Sequence, residues 1–123
     1  MKIIHLKPVI QYYTVVGDDK KYTDCPATLV HHYIRDNGVE SFTIRVREYN
    51  EDYDHQLTKQ PSGLYSGTAV KLPNNEVFPD STLHLKITKN NDKYSFLGKF
   101  TDGDLSGDWF MEAKVAKEFD TDI

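Results

Sequence analysis

Apolar and polar positions alternate most cleanly towards the C-terminal end of the chain, where they predict a three-stranded antiparallel β-meander over residues 82–117. Asn90-Asn91 and Asp102-Gly103 separate three segments, and both dipeptides suit two-residue hairpin turns with positive φ. With Asp102-Gly103 at the centre of its turn, Phe100 faces Leu105, Gly98 faces Gly107 and Phe96 faces Trp109. The upstream turn sets Ile87 against Tyr94, Leu85 against Phe96 and Leu83 against Gly98. Both hairpins then present their large apolar side chains on one face, and a slip of one residue would reverse that face. Lys93 falls opposite Glu112, a favourable cross-strand charge pair. The other face carries His84, Lys86, Ser95, Lys99, Ser106 and Asp108, but also Leu97 and Phe110.

Upstream, Phe42, Ile44 and Val46 alternate with polar residues and mark an inward-facing strand over 41–48. Residues 64–72 form another, bounded by Pro61-Ser62-Gly63 and Pro73-Asn74-Asn75. Residues 9–16 are rich in β-branched and aromatic side chains, and residues 3–7 precede them as a short edge piece cut by Pro8. Residues 26–36 follow a different period. Ala27, Val30, Tyr33 and Ile34 recur at helical spacing, with Pro26 suited to a first turn, Asp24 or Cys25 to a cap, and Gly38 to the position beyond the end. One short helix is expected there. Residues 50–63 are charged and polar and read as a long exposed loop. The pattern predicts a single domain, 1–123, mainly β: a small antiparallel barrel or sandwich of about six or seven strands with one helix.

Composition narrows the function classes. The net charge is −4 and no block of basic residues is present, which speaks against nucleic acid as a partner. No apolar run is long enough for a signal peptide or a membrane-spanning helix, and a single cysteine excludes an internal disulfide. A cytoplasmic location is expected.

Asp102-Gly103-Asp104-Leu105-Ser106-Gly107 matches the first positions of a calcium loop, but Ala113 stands where the bidentate carboxylate belongs. A hairpin turn accounts for the segment. Gly98, Phe100, Asp102, Gly103 and Gly107 also resemble part of a MORN repeat, a β-hairpin unit that occurs in arrays; no such period runs through this chain. His31 and His32 are adjacent and poorly placed to share one ion, and no H-E-x-x-H, P-loop, G-x-S-x-G or dinucleotide fingerprint is present. No cofactor or metal is expected. Cys25 reads as a capping or buried thiol.

The expected function is therefore non-catalytic binding, of inhibitor or adaptor type. A protein partner, or a second copy of the chain, would dock on Leu97 and Phe110. The alternative is a carrier or sensor of a small apolar ligand, since the meander and its aromatic inner face are similar to those of lipocalin-like barrels. Tyr94, Gly98, Gly107 and Trp109 would then line the cavity. An enzyme comes third, with the acidic and histidine residues of Glu51–His55 as its site.

Overall fold

In a computed structural model, which describes residues 1–121, the chain forms eight antiparallel strands and no helix. They are β1 (Lys2–Val15), β2 (Ala27–Ile34), β3 (Glu40–Glu48), β4 (Glu51–Lys59), β5 (Tyr65–Lys71), β6 (Glu76–Asn90), β7 (Lys93–Asp102) and β8 (Leu105–Asp120). Each strand pairs with its neighbours in sequence, and β8 returns to pair with β1, closing an up-and-down barrel. Closure leaves no free sheet edge. Inward positions are apolar: Ile4, Leu6, Val30, Phe42, Ile44, Leu57, Leu85, Phe96 and Met111 are all nearly or fully buried. Outward positions carry Arg45, Gln56, Lys86, Lys99 and Glu112, the reverse of a membrane barrel, whose outer surface is an apolar band.

The meander exists with the expected inner face, but its register differs by two residues from expectation. Asn90 pairs with Lys93 and Asp102 with Leu105, so Asn91-Asp92 and Gly103-Asp104 are the turn centres. Positive φ occurs at Asn91 and Gly103, the first central position of each turn, which is the requirement of a type II′ hairpin. Ile87 therefore faces Phe96, Gly98 faces Trp109, and Gly107 faces Phe100. A shift of two preserves which face each side chain takes. Lys93 still reaches Glu112, diagonally, at 2.9 Å.

Three element assignments are corrected. The expected helix over 26–36 is strand β2, whose inward positions are Val30, His32 and Ile34. His32 breaks the apolar alternation, and this hid the strand. The expected loop over 50–63 holds β4, in which Tyr53, His55 and Leu57 alternate inward while Asp52, Asp54 and Gln56 point out. Pro8 does not cut β1; it falls at a bulge just past Leu6, the last residue that pairs with β2, so its missing N–H breaks no ladder on that side.

Candidate functional site

The two ends of the barrel are built differently. At one end, where β2 finishes and β3 begins, Phe42 is the hub of an aromatic plug. His32 stacks on it at 4.2 Å between ring centroids, while Tyr65 and Phe96 meet it edge-on at 5.0 and 5.6 Å. Edge-to-face and offset rings pack this way because ring faces are negative and edges positive. Every polar atom of the plug has a partner. His32 Nε2 lies 2.9 Å from Glu40 Oε1 and Nδ1 lies 2.9 Å from the Tyr94 hydroxyl, while the Tyr65 hydroxyl donates to Glu40 Oε2 at 3.5 Å. A carboxylate can only accept, so Nε2 carries the proton and Nδ1 accepts from Tyr94. Burial, opposed by Glu40, holds the His32 pKa below its ordinary value, and the ring is neutral at pH ~7.

The opposite end is open. Here a cavity of about 170 Å³ enters the barrel between the last residues of β3 and β7, the first of β8 and the middle of β6, and a recess of about 120 Å³ adjoins it; both are lined by Val46, Glu48, His55, Ser81 and Asp102. Leu83, Phe100 and Trp109 form apolar walls of the larger space. The strands deliver these groups by simple alternation. Phe42, Ile44 and Val46 point inward on β3, and the next residue in that series is Glu48; on β7 the series Phe96, Gly98, Phe100 ends in Asp102. Core gives way to acid as each strand reaches the mouth.

The connection from β1 to β2 folds beside this mouth. Tyr13 and Tyr22 exchange backbone hydrogen bonds of 3.0 and 2.8 Å and stack their rings. Gln11 accepts from the Ala27 amide and donates to the Cys25 carbonyl. These bonds bring Asp24 and Cys25 to the cavity wall, where the Tyr13 hydroxyl donates to Asp24 at 2.7 Å. Neither residue caps a helix, as the sequence had suggested. Burial, with the charges of Glu48 and Asp24, raises the Cys25 thiol to about 11, so at neutral pH it is a protonated thiol and not a nucleophile. Burial and the nearby charges of Asp102 and Asp24 also raise Glu48.

His55 is the least satisfied group in this region. Its side chain lines the cavity, its residue is 6 % exposed, and its Nδ1 is fully buried without a hydrogen bond among the described residues. Burial pushes its pKa down to about 4, with Asp54 opposing weakly, so the ring is neutral.

The structure divides the residues singled out from sequence. Trp109 lines the open cavity, whereas Tyr94 sits in the plug at the far end with its hydroxyl on His32. Gly98 and Gly107 are not opposite one another. A Cβ on Gly98 would overlap the His84 carbonyl oxygen, and one on Gly107 the Thr14 carbonyl oxygen, so both glycines let adjacent backbones bend close together as the barrel closes. Leu97 is 56 % exposed on the outer face and pairs with Phe110, which is half-buried against Tyr12 at 5.2 Å. Glu51–His55 does not converge: Asp54 turns outward to Arg45 at 2.7 Å, Glu51 meets Lys71 at 3.1 Å, and His55 alone points inward. Among the described residues no group of three or more His, Cys, Asp or Glu is arranged to hold a metal ion.

No family model, no curated protein and no solved structure matches this chain.

Proposed function

We propose that the protein is a non-catalytic binder of a small molecule, taken into the open end of the barrel. The observation that supports this reading most strongly is the open cavity itself, with carboxylates at its rim, apolar walls below and the neutral His55 ring in its lining. His55 beside it keeps a buried nitrogen without a hydrogen bond, a cost to the barrel of about 1–3 kcal/mol. The space also suits a ligand, since ~150 Å³ is room enough for a molecule the size of benzene. Cys25, the thiol at the mouth, is protonated at neutral pH and so is not activated as a nucleophile.

Saturation-transfer NMR with single-ring fragments tests the reading. Fragments should contact the wild-type protein, and Ser81→Phe, which fills the mouth from the wall, should abolish the signal without lowering the melting temperature. Signals of equal strength in both proteins would rule the cavity out, as would none in the wild type.

The outer row of Leu97, Phe110 and Tyr12 supports a second reading, docking of a protein or of another copy of the chain. Leu97 is more than half exposed and continuous with two aromatic rings. Sedimentation equilibrium at millimolar concentration should then show a dimer that Leu97→Asp disperses; a monomer throughout would discard self-association.

A further inference from the structure

We propose that the ligand of the open end is a small organic cation bearing one ring, its charge held by Glu48 and Asp102 and its ring against Trp109. This rests on the reading of that end as a ligand site and adds the chemical class. Three carboxylates, Asp24, Glu48 and Asp102, line the mouth, and no lysine or arginine is among the residues that line it. Elsewhere on the wall Asp54 is paired with Arg45 and Glu112 with Lys93, whereas none of the three at the mouth is in a salt bridge among the described residues. The mouth thus gathers negative charge with no basic side chain in its lining.

The shape of that charge argues against a bare metal ion. The acidic groups are not gathered as ligands of one ion, so the positive charge they suit is spread over a larger body. Below them the walls turn apolar at Leu83, Phe100 and Trp109. Aromatic faces attract cations as well as covering rings, so one molecule can satisfy both the rim and the walls. Beneath, the neutral His55 ring lines the same space, its Nδ1 buried in the wall. A ring-bearing ammonium has this order of parts; a fatty acid has the opposite charge and needs a longer cavity.

Three probes of nearly equal size separate the possibilities: phenethylamine, phenethyl alcohol and phenylacetate. Calorimetric titration, with quenching of Trp109, the single tryptophan, as a second signal, should rank the amine at least tenfold above the alcohol, with phenylacetate weakest. Added salt should weaken the amine and leave the alcohol unchanged. Glu48→Gln with Asp102→Asn should cost the amine roughly tenfold or more, the effect of a unit charge a few ångströms away at a partly solvated site, and should not affect the alcohol. Equal affinity for amine and alcohol would overturn the cation proposal while leaving the cavity reading intact. Failure of all three to bind or to alter Trp109 would overturn both.

Discussion

Two histidines, each 6 % exposed and each pointing into the barrel, sit at opposite ends in opposite circumstances. His32 is bonded on both ring nitrogens and stacked on Phe42; His55 has a buried nitrogen with nothing to bond and a cavity beside it. Equal burial thus accompanies two different roles. At the plug, polar groups complete one another and the interior is solid. At the mouth, the same residue type is left incomplete, and the neighbouring strands β3 and β7 end in acid. A barrel that needed only stability would satisfy or replace His55, because removing both partners of a buried hydrogen bond is nearly free whereas leaving one is costly.

The sharpest way to break this contrast is to disturb the wall common to both ends. Gly98→Leu should prevent formation of a stable barrel, a loss on the order of 4 kcal/mol or more, because the new side chain meets backbone and not a movable side chain. Circular dichroism and urea titration would detect it; a folded, stable variant would contradict the close approach of β6 and β7. Phe42→Ala should remove about 3–5 kcal/mol by emptying the plug. A truncation in the mouth, Leu105→Ala, should cost well under 1 kcal/mol because Leu105 is 53 % exposed.

Acid should also act through the mouth. Unfolded, His55 takes up a proton near 6.5; in the barrel it does so only near 4. Between these values the unfolded chain holds a proton that the folded one lacks, so stability present at neutral pH is lost as pH falls across that window, by about 3 kcal/mol in total. His31 and His32, also lowered by burial, act in the same direction. Glu48 acts the other way, since its raised pKa favours the folded state as it becomes protonated. Urea titrations on both sides of the window should show the loss, and His55→Leu should flatten it. Unchanged stability across the window in wild type would mean that His55 is hydrated in the folded state.

A smaller effect separates the two histidines directly at neutral pH. His32→Leu should destabilise by about 1–3 kcal/mol, because Glu40 and Tyr94 are left without their partner. His55→Leu should be neutral or mildly stabilising, since it deletes an unmet polar group. Losses of equal size would erase the distinction between plug and mouth.

The same histidines explain how far the fold was legible. The inner face of the meander and strand β3 follow from alternation, because their inward residues are apolar without exception or nearly so, while β5 follows from the turn residues that bound it. In β2 and β4 one inward position is a histidine, and a polar residue there destroys the period-two signal. Val30, Tyr33 and Ile34 then matched a helix, and the acidic outward residues of β4 matched a loop. The register missed by two because Asn91 and Gly103 take the first central turn position, a choice that the dipeptides Asn90-Asn91 and Asp102-Gly103 leave open. Of the cavity, Trp109 was visible in the sequence. Glu48 and Asp102 could have been found by extending each inward series one step further, whereas Asp24 and Cys25 reach the mouth only through the fold of a loop.

Ring-nitrogen NMR of the five histidines during titration with phenethylamine tests the central contrast most directly. The His55 resonances should move with the titration, because its ring lines the space the amine enters, while those of His32 should stay in place. Movement of His32, or an unchanged His55 in the presence of bound amine, would contradict the assignment of one end as plug and the other as binding site.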